Sequence, residues 1–484
     1  IYKIRITDSS DATVSATTAS SFKIRGDFNV SYPAGGETWS VDEIRPMTWT
    51  TTGNINAVNL EYSANGTNWF TLKKQDGSDA TNVANIGNGT TGLNIRVPDA
   101  ITDTFKVRVV STIDTTVWKS SNDLKVRGIL NVTVPNGSSL WYVSDTMAIT
   151  WTTTGSIATV RVDYWDNPGG IWREITASTA AKTVGNEGSV NWTLPTAGPN
   201  IIGDATKIKV SQASGIGTGE IANESPTFKV RGKIVVNNPL VSEVWPVDGT
   251  RTITWTTTGV INTVDVEYST AGVGGPYTLF TNGNNVANTP NGVTGLVVTV
   301  PNAISTNVYI RVKEETALAN PASGTKGAIE IKGAIVVTAP DGSANWTVGE
   351  TNRSIQWTAT GSVGEVKLQY RKTDGSWGDI TTLTSAVGPN TYFWVAGVAD
   401  AISTTAKVRI ISNSAPIKSD DAYSSDFIIK AGLQVGKPTA GETLYVDDFY
   451  TITWTYQGTV ANILLQYAVD GGSWQNIVTK SPAA

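Results

Sequence analysis

Five times along the chain a short run alternates apolar residues with threonine or other polar residues, then stops at a glycine. Met47 and Trp49, Ile149 and Trp151, Ile253 and Trp255, Ile355 and Trp357, and Ile452 and Trp454 share one parity, with mostly threonine on the other. A period of two puts successive side chains on opposite faces of an extended strand, so each run predicts a half-buried strand with its indole in the core and its threonines in water. The runs end as WTTTG at Gly53, Gly155 and Gly259, as WTATG at Gly361 and as WTYQG at Gly458. Glycine there supplies a turn conformation that β-branched threonine resists. A second alternating run follows, with Val58, Leu60 and Tyr62 inward, then Val160, Val162 and Tyr164, Val264, Val266 and Tyr268, and Val366, Leu368 and Tyr370. No ten-residue window sustains a helical period, which predicts an all-β chain.

The five tryptophans stand at steps of 102, 104, 102 and 97 residues. A second marker keeps the same period: FKIRG ending at Gly26, LKVRG at Gly128, FKVRG at Gly232, IEIKG at Gly333 and FIIKAG at Gly432. Two markers on one period mean tandem copies of one fold. A repeat of about 100 residues fits a seven-stranded sandwich of the immunoglobulin or fibronectin type III kind. The expected organisation is four whole Ig-like repeats, 27–127, 128–231, 232–332 and 333–431. Residues 1–26 read as the last strands of a preceding repeat and 432–484 as the first half of a further one. The incomplete ends read as a window on a longer array. Completion of one end by strands of a neighbouring molecule, the rival account, falls about 20 residues short of a repeat. Each marker runs into the next repeat without a Gly/Ser- or Pro-rich spacer, so neighbouring repeats are expected to couple end to end into an elongated rod.

The combined pattern P-x-x-G-x-x-W-x-V…I-T-W-T-x-x-G…V-x-L-x-Y-S…W resembles the Ig-like repeats of the Kre9/Knh1-type Ser/Thr-rich cell-wall family and of microbial surface-array proteins. The early-strand tryptophan is also similar to that of fibronectin type III domains. The resemblance implies an Ig-like fold and a cell-surface setting. Its motifs are core and turn residues, so it carries over no catalytic residue.

Composition narrows the function classes. With 41 acidic and 36 basic side chains in 484 residues, the net charge of −5 argues against nucleic acid as a partner. The chain has no cysteine and no histidine. That removes disulfides, thiolate nucleophiles, the commonest general base and the usual zinc ligands. Polar positions are dominated by Thr, Ser, Asn and Gly, a neutral surface of the kind expected of exported microbial proteins. No stretch reaches the ~20 apolar residues of a membrane-spanning helix. The start IYKIRITDSS lacks the basic and apolar regions of a signal peptide.

Three kinds of candidate site remain. Basic residues recur on the outward parity of the late strands, as Lys106 with Arg108, Lys207 with Lys209 and Lys407 with Arg409, then Lys125 with Arg127 and Lys229 with Arg231. Glu61, Asp163, Asp265 and Glu267 are expected opposite them, each cross-strand pair contributing ~0.2–1 kcal/mol. Any basic surplus forms a stripe able to hold acidic polymers or a neighbouring filament. Most tryptophans recur once per repeat and read as core, including Trp49, Trp151, Trp255, Trp357 and Trp454. Trp118, Trp165 and Trp394 do not recur in every unit and are candidates for exposed contact with cell-surface glycans. Acidic residues gather at one repeated turn, as Asp42 with Glu43, Asp145, Asp248, Glu350, and Asp447 with Asp448. Without a D-x-D-x-D-G loop they read as a solvated turn rather than a calcium site, so no cofactor is expected. Each repeat spends its length on a sandwich, which leaves no room for a catalytic insertion.

The expectation is therefore a non-enzymatic, extracellular structural protein forming a stalk, filament or surface-layer (S-layer) element. Its partners are neighbouring copies or the continuation of the same chain. The alternative is an adhesin or carbohydrate-binding rod, which predicts one divergent repeat. Repeat 128–231 diverges most, at YWDNPGGIW and GPNIIGD.

Overall fold

The computed structural model describes residues 1–85, 92–166, 170–175, 184–185, 188–197, 200–288 and 294–481. The centre of YWDNPGGIW (167–169) and the start of GPNIIGD (198–199) lie outside the described residues. Among the described residues every regular element is a β-strand. The chain divides into two compact units, Ile1–Gly232 with Thr258–Val260, and Lys233–Thr257 with Ile261–Ala484.

In the first unit, residues 27–127 build two sheets. Asp27–Tyr32 pairs antiparallel with Ile44–Thr52, which pairs with Leu93–Arg96. The other sheet runs Thr38–Ser40, Leu124–Arg127, Thr102–Ser111, Ala57–Ser63, Phe70–Thr71. Thr38–Ser40 lies parallel to Leu124–Arg127, so the opening strand is divided between the two sheets. This strand order and pairing are those of an Ig-like sandwich. One core joins the sheets, with Trp39, Met47, Leu60, Ile95 and Phe105 fully buried. Residues 128–231 repeat the plan, with Leu140–Tyr142 parallel to Phe228–Arg231 and Thr159–Asp166 paired to Ile208–Gln212. Before them, Arg5–Thr7 pairs with Ser15–Thr17.

The second unit holds two more sandwiches of the same order. In residues 232–332, Val244–Pro246 lies parallel to Ser323–Lys332, and Thr263–Ser269 pairs with Ser305–Glu314. In residues 333–431, Asn345–Thr347 lies parallel to Phe427–Lys430. There Gly364–Arg371 pairs with both Trp377–Ser385 and Val408–Ser412. Residues 432–484 add two hairpins, Gly432–Lys437 with Thr453–Gln457 and Ile463–Tyr467 with Gln475–Lys480.

The tryptophans of WTTTG occupy the cores: Trp49, Trp151, Trp255 and Trp357 are buried, and Trp454 is half-buried. A buried indole N–H needs an acceptor. Trp49 Nε1 donates to Asn85 Oδ1 and Trp255 Nε1 to Asn288 Oδ1, each at 2.9 Å, while Trp357 Nε1 uses Ser385 Oγ. The second threonine of the motif, Thr51 or Thr257, is on the tryptophan's parity rather than in water. Asn85 Nδ2 donates to Thr51 Oγ1 and to the Ile55 carbonyl, and Asn288 Nδ2 does the same with Thr257 and Ile261.

Trp394 departs from expectation, because it is buried at 4% exposure against Trp346 and Tyr370. Its position does recur, as Ile95, Trp192 and Val298, opposite the same residue of the tryptophan strand. The reason is volume. In three repeats the tyrosine of the second alternating run receives an aromatic from one of two strands: Phe105 stacks on Tyr62 at 5.7 Å, whereas Trp192 stacks on Tyr164 and Trp394 packs on Tyr370; in 232–332 both positions are valine and Tyr268 packs on Phe280. Where the late strand carries small Ala406 in place of Phe105, the larger indole fills the core from the other side.

Candidate functional site

In each repeat the outward face of the sheet that holds the second alternating run carries a stack of three groups. Arg108 stands directly opposite Glu61, Lys209 opposite Asp163, Arg311 opposite Glu267 and Arg409 opposite Gln369. Arg108 pairs with Glu61 at 2.6 Å, Arg311 pairs with Glu267 at 2.6 Å, and Arg409 Nε donates to Gln369 Oε1 at 2.7 Å. Over each cation lies the aromatic that follows the second alternating run. Trp69 is 4.2 Å from the Arg108 guanidinium, Trp172 4.3 Å from Lys209 Nζ, Tyr277 3.8 Å from Arg311 and Trp377 4.3 Å from Arg409. An aromatic face over a cation adds ~0.5–2 kcal/mol, depending on desolvation. The carboxylate beneath is covered by its partners: Asp163 and Glu267 sit on the outward parity yet are buried. In 128–231 the cation bonded to Asp163 is Arg161, two residues along the same strand.

The second recurrent arrangement lies between successive repeats within each unit. Gly155, at φ +89°, rests on the repeat before it: a β-carbon built there would stand 2.9 Å from Val41 Cγ2 and 3.3 Å from Asp99 Oδ1. Asp99 accepts hydrogen bonds from the backbone N–H and the hydroxyl of Ser156. Gly361 meets Val247 and Asn302 in the same way, with Asn302 bonded to Ser362. Gly458 meets Val348 and Asp400, and Asp400 accepts from the Thr459 hydroxyl. Pattern alone does not single out Asp99, Asn302 and Asp400, although P-D-A at 98–100, P-N-A at 301–303 and A-D-A at 399–401 carry the signal.

A clamp closes each of three repeat boundaries. The cation of the second marker reaches an acid in the last loop of the following repeat: Arg25 to Asp114 at 2.9 Å, Arg127 to Glu220 at 2.7 Å, Lys332 to Asp420 at 3.2 Å. Arg127 also binds Asp103 and the Thr102 carbonyl and is buried. Burial alone lowers an arginine's pKa, yet Asp103 and Glu220 together hold Arg127 above its ordinary value. The hydrogen bond from Arg127 holds the Glu220 carboxyl below its ordinary value. The Lys332 ammonium is raised, first by Asp420.

The sequence-derived candidates divide among the stack, the repeat boundaries and the core. Arg108 is in the stack, and Lys106 pairs with Asp123 at 3.5 Å. Lys125 and Arg127 both reach Glu220, so they belong to a repeat boundary, and the loop at Gly217 covers Arg127 against its expected exposure. Trp118 is 45% exposed and lies 5.3 Å from Arg108 on the side away from the core. Trp165 is half-buried, edge-on to Trp172 at 5.3 Å. Trp394 is a core residue. At the acidic turn, Glu43 accepts from the Ser40 N–H and pairs with Arg45, and Glu350 does so with Thr347 and Arg353. Among the described residues no three acidic side chains gather to hold a metal ion.

No protein-family model matches the chain. No curated protein matches it. Solved structures similar to it are tandem immunoglobulin domains. Sidekick-1 immunoglobulin domains 1–5 align at 9% identity over 84% of this chain and 81% of that one, with a TM-score of 0.21. The N-terminal four Ig domains of Dscam1 isoform 6.9 align at 10% identity over 83% and 99%, with a TM-score of 0.21. The N-terminal eight Ig domains of DSCAM isoform 1.30.30 align at 12% identity over 94% and 54%, with a TM-score of 0.22. Likeness at this level carries no argument about function, and the Ig-like assignment rests on the strand order and pairing described above.

Proposed function

We propose that the chain is part of an extracellular structural repeat protein, a stalk, filament or surface-layer element whose work is to hold successive Ig-like domains in fixed relation. One observation carries the reading: repeat boundaries are occupied by specific contacts where tethered domains would carry linkers. At the boundary after 127 and at that after 332, a glycine seated on a valine, an Asx hook and a cation clamp together oppose rotation of one domain on the next. A single surface ion pair contributes ~0–1 kcal/mol. Three contacts on separate parts of one small interface constrain orientation far more than their summed energy implies, because each removes a different rotation. The cation–aromatic stacks support the same reading, since they engage Arg108, Lys209, Arg311 and Arg409 of the outward face within their own repeats. The motif resemblance to cell-wall and surface-array repeats agrees with a surface location.

Negative-stain imaging of the full chain, with particle classes sorted on the angle between domains 27–127 and 128–231, tests this. A narrow distribution of that angle is expected, and one that broadens in an Asp99→Ala, Arg127→Ala double variant. A broad, continuous distribution in the unaltered chain would refute the proposal.

A further inference from the structure

Repeat 333–431 departs from 27–127 and 232–332 at a place where those two close a gap. In 27–127 the second alternating strand ends at Ser63, fully buried, and the next carbonyl, of Ala64, accepts hydrogen bonds from Thr102 and Thr104 Oγ1 at 3.0 Å each. In 232–332 the buried serine is Ser269, and the Thr270 carbonyl accepts from Ser305 Oγ at 3.4 Å. Those hydroxyls draw the turn down onto the late strand.

In 333–431 the serine's place is taken by Arg371, which is exposed. The next carbonyl, of Lys372, is used inside the turn instead, accepting from the Gly375 N–H at 3.0 Å. Asp374 holds that turn by accepting from the Ser376 N–H and hydroxyl. The turn therefore stands off from Ser403–Ala406, and a cleft of about 330 Å³ opens between them. Ser403 and Thr405 line it with hydroxyls that bond each other at 3.4 Å, and Ser403 Oγ also accepts from the Thr405 N–H. The neighbouring acids Asp379 and Asp426 are paired to Lys367 and Lys407. Among the described residues Arg371 and Lys372 form no ion pair.

We propose that this cleft binds a carboxylated sugar unit. The guanidinium is a planar fork that matches a carboxylate with two parallel hydrogen bonds, and Lys372 adds a second cation beside it. Ser403 and Thr405 supply donors and acceptors for ring hydroxyls. The volume lies at the lower end of the range for small-ligand sites, and the lining is polar, so the fitting ligand is compact and rich in hydroxyls. Arg371, Lys372, Ser403 and Thr405 recognise it, and Asp374 holds the turn that positions the two cations. This inference stands apart from the structural role: a chain that binds no sugar leaves the boundary argument untouched.

Calorimetric titration of the full chain with trigalacturonate tests it. One site with a Kd of about 0.1–1 mM is expected, the range of a small polar ligand held by one charged anchor. Arg371→Ser installs the residue that 27–127 and 232–332 carry, so it keeps the fold, and it weakens binding at least about tenfold through loss of the charge-assisted pair. The Ser403→Ala, Thr405→Ala variant weakens it too. Absence of binding up to about 10 mM, or an unchanged Kd in Arg371→Ser, overturns the proposal. Equal affinity for neutral maltotriose overturns the carboxylate assignment, and preference for glucose 6-phosphate overturns it in favour of a phosphate site.

Discussion

Replacing Gly155 by alanine isolates what a repeat boundary contributes, because the fold supplies a matched control. Gly155 and Gly77 have similar backbones, φ +89° and +83°, but a β-carbon on Gly77 meets nothing within 4 Å, whereas one on Gly155 stands 2.9 Å from Val41 Cγ2. At either site alanine in the left-handed region costs about 1–2 kcal/mol. Reduced freedom of the unfolded chain returns about 0.4–1 kcal/mol of that. Gly77→Ala should therefore cost about 0.5–1 kcal/mol. Gly155→Ala adds overpacking of about 1–3 kcal/mol, since Val41 is buried and the neighbouring Ser156 is tied to Asp99. The expected total is about 1.5–4 kcal/mol. A chain of several domains does not unfold as one two-state system, so the assay is amide hydrogen exchange resolved by segment. Protection of the Ser156 amide, which donates to Asp99, should fall by roughly five- to hundredfold more in Gly155→Ala than protection at the Gly77 turn falls in Gly77→Ala, at 1.4 kcal/mol per tenfold. Equal losses in the two variants would show that the valine gives way freely, and the boundary would then be a loose contact.

Three further outcomes follow from the core, the stack and the clamp. Trp255→Phe leaves buried Asn288 without its indole donor and removes ring volume, so domain 232–332 should lose about 2–4 kcal/mol by segment-resolved exchange. Arg311→Met strands the buried Glu267 carboxylate and should cost about 2–4 kcal/mol, against about 0.5–2 for Tyr277→Ala, which removes only the aromatic over the cation; the reverse order in thermal melts would refute the stack as drawn. The Glu220 carboxyl is held below its ordinary value by Arg127, so the clamp contributes stability above about pH 4.3 and loses it as pH falls through the depressed folded value. Protection of residues 217–221 should drop between pH 5 and pH 3 beyond the intrinsic rate change, and a Glu220→Gln variant should lose that dependence.

The strand pattern, the core tryptophans and the opposition of Lys/Arg to Asp/Glu were legible because each depends on parity alone, and parity is written directly in the spacing of residues. Trp118 and Trp394 show where that legibility ends. Neither recurs as tryptophan in every unit, yet one is 45% exposed and the other a core residue, because Trp394 compensates for Ala406 on a different strand. A volume exchange between strands has no local signature. Asp163 and Glu267 fail in the opposite sense: parity sends them outward correctly, yet both are buried, Glu267 bonded by Arg311 of the facing strand and Asp163 by Arg161 of its own.

The boundary residues were hidden for a different reason. WTTTG reads as a strand and its turn, and the turn alone accounts for a glycine at positive φ. The structure adds a second requirement at the same atom, since the absent side chain is the space into which the valine of the preceding repeat fits. Asp99 and Arg127 likewise belong by sequence to one repeat and make their decisive contacts in the next, Asp99 with Ser156 and Arg127 with Glu220, across separations of 57 and 93 positions. A repeat read by itself assigns such residues to its own surface, where a charged side chain needs no explanation. Read as a tandem pair, the same residues explain why both markers recur: WTTTG presents the seat and LKVRG the clamp, so the five-residue runs that identify the fold also identify the places where one copy is fixed to the next.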